Sequence, residues 1–220
     1  MQAGQTNDRV AVVMVHGLWM TGLEMGLLAR RLRYCGFACH RFPYSSLLRG
    51  PEANAAALAG YIAALPQPRV HLVGHSFGGR VIDLLLANHG AGKVKRVLTL
   101  GTPFAGSHIA RTLARRSWSR PILGSAAPAL VNAVPHWRHQ CPLGIIAGDR
   151  GLGIGLCFPA LPRPHDGTVA LAETEIGGSS ARITVPATHM SMLFNRAVAE
   201  LACRYLRTGS FAGPAAGGPA

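Results

Sequence analysis

The stretch from Val70 to Arg80 constrains this chain more than any other. Val70-His71-Leu72-Val73 is an apolar run of strand character, and the residues from Phe77 onward read as a helix. Between them lies Gly74-His75-Ser76-Phe77-Gly78. A strand that passes into a helix through one serine turns very tightly. Side chains two positions either side would collide with the neighbouring strand and helix. Gly74 and Gly78 remove those collisions. The turn strains the serine backbone and exposes its hydroxyl at the carboxyl end of the strand. The Phe77 amide then stands at a helix N-terminus, where it can face an anion. The G-x-S-x-G spacing carries this meaning only with a strand before it and a helix after it.

The rest of the chain alternates strand and helix. Apolar runs predict strands near 10–15, 37–42, 70–75, 94–100, 143–148 and 181–186. Helical patterns cover 23–34, 53–65, 77–89 and 191–207. This alternation argues for one α/β domain over 1–208, with a mostly parallel sheet of about six strands and helices on both faces. Right-handed crossovers then carry the loops that follow the strands to one edge of the sheet. Residues 104–142 are the main insertion. They hold Arg111, Arg115, Arg116, Arg120 and Arg138 and no Asp or Glu, with Trp118, Trp137 and several Leu and Ile interleaved. This segment reads as a short helical cap or lid. The tail 209–220 is Gly-, Ala- and Pro-rich and is expected to be disordered.

Further motifs stand at the ends of other strands. The run Val10–Val15 is followed by His16-Gly17-Leu18-Trp19. The segment Gly101-Thr102-Pro103-Phe104-Ala105-Gly106-Ser107 follows the strand after the serine turn. His165-Asp166-Gly167-Thr168-Val169-Ala170-Leu171 comes later, and His189-Met190-Ser191-Met192-Leu193 follows the last strand. A serine hydroxyl is a poor nucleophile at neutral pH. It needs a histidine to take its proton, a carboxylate to orient that histidine, and amide donors for the oxyanion. All four parts have candidates here.

Together these motifs resemble the α/β-hydrolase superfamily, in particular small bacterial serine lipases and esterases. The resemblance covers most of residues 9–207. It implies an α/β-hydrolase fold with a Ser76, Asp166, His189 triad, in the chain order that this fold uses. It also implies an oxyanion hole from the amides of Leu18 and Phe77. Asp149, at the end of the 143–148 strand, is the alternative acid. Trp19 and Met20 are expected either to line an acyl pocket or to pack their loop over the core. His16 is expected to support the oxyanion loop, His75 to point away from the hydroxyl, and Asp83 to be a structural hydrogen-bond partner. The activity implied is hydrolysis of a carboxylic ester, a small acyl ester or lipid, through an acyl-enzyme. No cofactor is required. His136, His139, Cys141 and His165 are of metal-ligating type. Only the H-x-x-H pair has suitable spacing and prolines bracket it, so no metal is expected. The same triad also serves acyltransferases and amidases, and a hydrolase scaffold can serve a non-catalytic binding protein.

Composition bounds the remaining classes. Hydrophobic residues make up 49% of the 220, and no apolar run reaches the length of a membrane span. The start of the chain is polar, without the apolar core of a secretory signal, so the expected location is cytoplasmic. Five scattered cysteines read as free thiols, with a single Cys141–Cys157 bridge the alternative if the protein is exported. The formal net charge is +13, carried mostly by arginine. Such a charge is either a codon-driven surface feature or an attraction to anionic surfaces, including peripheral contact of the basic cap with an anionic membrane. No nucleic-acid motif accompanies it, and no nucleic-acid partner is expected.

Overall fold

A computed structural model describes residues 9–115 and 117–213. Six strands form one parallel sheet in the order β2-β1-β3-β4-β5-β6. They are β1 Ala11–Val15, β2 Ala38–Arg41, β3 Val70–His75, β4 Val94–Leu100, β5 Leu143–Gly148 and β6 Ala181–Val185. The long helices are α1 Gly26–Tyr34, α2 Pro51–Ala64, α3 Phe77–His89 and α7 Arg196–Thr208. Between β4 and β5 lie the short helices α4 His108–Ala114, α5 Arg120–Leu123 and α6 Ala127–Val131.

The sheet separates two apolar cores, as the period-two geometry of strands requires. In β1, Ala11, Val13 and Val15 face the core shared with α2, α3 and the β4–β5 insertion. Val12 and Met14 face the core shared with α1 and α7. Strands buried on both faces read as continuous apolar runs, which is why their bounds were legible.

The helix ends depart from the sequence reading for local reasons. Pro51 sits at the first helical position of α2 and starts it two residues early. The expected helix over 191–207 splits. Ser191–Leu193 forms a 3-10 turn, and α7 begins afresh where the Asn195 side chain accepts from the amides of Ala197 and Val198.

Two expectations are corrected. Cys35 and Cys203 form a disulfide, with Cα atoms 6.3 Å apart at a sequence separation of 168. Helices α1 and α7 pack side by side on one face, which brings the pair together. Cys141 and Cys157 are unbridged, one buried and one exposed. The tail is also ordered further than expected. Phe211 is buried, stacks on Tyr205 at 5.1 Å, and its carbonyl accepts from Arg204 at 2.9 Å. Residues 214–220 lie outside the described residues. Among the described residues, no helix is long and apolar enough to cross a membrane.

Candidate active site

Parallel strands all end at one edge, and the loops that follow β1, β3, β4, β5 and β6 meet there. Ser76 links β3 to α3 with φ +53° and ψ −123°. A non-glycine residue in that region carries roughly 1–3 kcal/mol of backbone strain, held in place by its surroundings. The surroundings are tight. A Cβ at Gly78 would stand 2.1 Å from the Val15 carbonyl oxygen. The Ser76 amide donates to Leu100 O at 2.9 Å, and its carbonyl accepts from Thr102 Oγ1 at 2.9 Å.

Asp166 and His189 come together across 23 residues of sequence. His189 Nδ1 lies 2.6 Å from Asp166 Oδ2, and the His189 amide donates to Asp166 O at 2.7 Å. The other carboxylate oxygen, Oδ1, accepts from the amides of Thr168 at 2.9 Å and Val169 at 2.7 Å. Asp166 is only 1% exposed. Burial pushes its pKa up, but His189 and these amides outweigh burial and hold it below the usual carboxylate range. Asp149, the alternative acid, is exposed, and its side chain makes no bond to His189.

Ser76 and His189 line one cavity of about 460 Å³. Among the described residues no hydrogen bond joins Ser76 Oγ to the free His189 Nε2. Such bonds are often long in a free enzyme and tighten with substrate. No hydrogen bond among the described residues uses the amides of Leu18 or Phe77 either, so both donors remain unspent.

The loop after β1 is braced from behind. His16 is fully buried, stacks on Tyr44 at 4.1 Å, and its Nδ1 pairs with Gly17 O at 2.9 Å. Burial lowers its pKa, so it stays neutral at pH 7. Tyr44 donates to His16 O at 2.6 Å. Met20 Sδ receives the Gly17 amide at 3.3 Å. Trp19 has φ +59° and is 50% exposed. Its amide donates to Ser46 Oγ at 3.1 Å and its indole N–H donates to Ile122 O at 3.0 Å. Trp19 therefore ties the loop to α5 of the insertion. Trp19 and Met20 both line the cavity.

The insertion covers the cavity with Ile109, Leu113, Leu123 and Leu130. Its basic and aromatic residues divide. Trp118 is exposed, whereas Trp137 is buried, meets Phe104 edge-on at 6.1 Å and donates to Cys141 O at 2.7 Å. His139 Nε2 pairs with Asp83 Oδ1 at 2.9 Å, the structural partnership expected for Asp83. The glycine-rich loop after β5 also faces the cavity through Leu152, Gly153 and Ile154.

Two contributors escaped the sequence reading. His75, expected only to point away from Ser76, packs its ring 4.7 Å from that of His189 and bonds the His189 carbonyl. Glu173 is buried beside the acid loop. One of its oxygens accepts from the Ala170 amide at 2.8 Å. The other accepts from the His108 amide and lies 3.9 Å from Arg111. It thus pins α4 of the insertion to the loop carrying Asp166. No motif marked Glu173, because its partners are backbone amides of two distant segments.

No protein-family model matches the chain. No curated protein matches it in sequence. Solved structures do match. The mature form of the lipase BlEst2 from Bacillus licheniformis superposes with a TM-score of 0.72 at 22% identity, over 84% of this chain and 86% of that one. A metagenomic carboxyl esterase gives 0.69 at 18% identity, over 82% and 64%. A bromoperoxidase from Bacillus anthracis gives 0.64 at 14% identity, over 91% and 93%. Proteins of this architecture thus carry different chemistries, and function must be argued from the site. In fold the chain is an α/β-hydrolase, similar to bacterial lipases and esterases.

Proposed function

We propose that this protein is a serine hydrolase that cleaves carboxylic esters through an acyl-enzyme. The observation that carries the reading is the 2.6 Å contact of Asp166 with His189, which lines the same cavity as the strained Ser76. In this reading His189 Nε2 takes the Ser76 Oγ proton as Oγ attacks the ester carbonyl carbon. The ionised Asp166 stabilises the resulting imidazolium. The amides of Leu18 and Phe77 hold the oxyanion. Such a donor contributes roughly 3–4 kcal/mol to lowering the barrier. His189 then passes its proton to the departing alkoxide oxygen as the C–O bond breaks. Water repeats the sequence on the acyl-enzyme and returns free acid and Ser76.

The apolar cavity lining supports an acyl chain as the buried part of the substrate. The disulfide between Cys35 and Cys203 supports work in an oxidising compartment, against the cytoplasmic expectation.

The test is active-site labelling with a fluorophosphonate, followed by peptide mapping. A single adduct on Ser76, with loss of activity on p-nitrophenyl esters, is the expected result. Labelling elsewhere, or none, would overturn the reading.

A further inference from the structure

The opposite edge of the sheet, where the strands begin, holds a cleft of about 530 Å³ whose lining includes Arg69, His71, Lys95, Arg96 and Arg207. Four of the lining residues are cationic and none is acidic. The side chains of Arg69 and Lys95 make no hydrogen bond or ion pair with any described residue. Arg96 and Arg207 are anchored by backbone carbonyls instead, those of Leu206 at 3.0 Å and of Cys35. Four like charges around one concavity repel one another unless an anion enters.

Two further observations point to a ligand. His71 is 4% exposed, and its buried Nδ1 has no hydrogen-bond partner among the described residues. A buried polar nitrogen without a bond is destabilising, and a ligand that supplies the partner relieves that cost. Burial, with the charges of Arg96 and Arg69, drives its pKa down to about 4, so the ring is neutral at pH 7 and can offer an N–H. Second, the register shifts at this point. Val70 pairs with Val94 but His71 pairs with Arg96, so Lys95 is an extra residue in β4. Consecutive strand residues normally face opposite sides of a sheet. The bulge lets Lys95 and Arg96 line the same cleft.

We infer that this edge carries a second binding site, for a phosphate group. Four uncompensated cations exceed what one carboxylate can neutralise. A phosphate or pyrophosphate brings several charges and enough acceptor oxygens for guanidinium, ammonium and imidazole donors together. His71 lies five residues from Ser76, roughly 16 Å along β3, so the site is separate from the catalytic edge. The inference does not rest on the ester-hydrolysis reading.

Titration calorimetry with inorganic pyrophosphate tests it on the full chain. Saturable binding at one site is expected, weakening with added salt. The double variant Arg69→Gln/Lys95→Gln alters two exposed side chains and should weaken binding at least about tenfold. His71→Phe keeps the ring and should weaken it too. The charge-matched control Arg30→Gln/Arg163→Gln should bind like wild type. Pelleting with phosphatidic acid vesicles, lost in the Arg69/Lys95 variant, would identify the source as a lipid headgroup. Pyrophosphate binding without pelleting would identify a soluble phosphate compound. No saturable binding, or equal weakening in the control pair, would overturn the proposal.

Discussion

The imidazole of His75 holds the backbone of His189. Its Nε2 lies 3.0 Å from the His189 carbonyl oxygen. A carbonyl can only accept, so Nε2 carries the proton. Burial first, then the nearby His189, pushes the His75 pKa down to about 3, and the ring stays neutral. The residue next to the serine in the chain is therefore a support for the histidine after β6. Replacing it with phenylalanine keeps the ring and removes the bond. His75→Phe should lower kcat about tenfold, with KM little changed. Steady-state kinetics on a short-chain ester checks this, and an unchanged kcat would remove His75 from the account.

Gly101 stands where the acid and the histidine meet. Its φ is +58°, and a Cβ there would lie 2.9 Å from both Asp166 Oδ2 and His189 Nδ1. Gly101→Ala should therefore displace the pair. A misplacement of about 1 Å costs roughly a hundredfold in rate. Circular dichroism should show the fold retained while kcat drops on that scale.

Two buried carboxylates give stability opposite pH dependences. Asp166 has a folded pKa below its ordinary 3.8, because His189 and two amides outweigh burial. Its contribution is present above that ordinary value and is lost as pH falls through the lower folded one. Glu173 has a folded pKa above its ordinary 4.5, because burial outweighs its amide and Arg111 contacts. Its contribution is full below 4.5 and declines as pH rises through the folded value. Urea unfolding from pH 3 to 7 should show Asp166→Asn flattening the acid-side loss of stability. Glu173→Gln should flatten the decline above 4.5. The same sign of change in both variants would contradict this assignment.

The disulfide crosses nearly the whole chain. Cys35→Ser with Cys203→Ser should cost roughly 2–4 kcal/mol of unfolding free energy. Its distance from the catalytic edge predicts unchanged ester turnover at 25 °C. Denaturant curves and kinetics on the one double variant read both quantities.

The sequence made the sheet legible because each strand is a short apolar run bounded by turn residues. The same holds for the serine turn, where Gly74, Ser76 and Gly78 act within five residues. Asp166 could be preferred over Asp149 only through its motif, and the 2.6 Å contact with His189 separates them in space. What escaped depends on contacts between distant segments. Cys35 and Cys203 meet because α1 and α7 share a face. Glu173 matters because the insertion folds back over the acid loop. His75 was visible, but its partner is a backbone oxygen 114 residues away. The clustering of Arg69, Lys95, Arg96 and Arg207 depends on strand order, a bulge and the end of α7, none of which total charge reveals.

The most direct test of the central claim is turnover of p-nitrophenyl esters from acetate to palmitate by wild type and by Ser76→Ala, prepared identically. The account predicts measurable wild-type turnover and a kcat lower by about 10⁴-fold or more in the variant. Equal rates in the two proteins, whether both active or both inert, would contradict it.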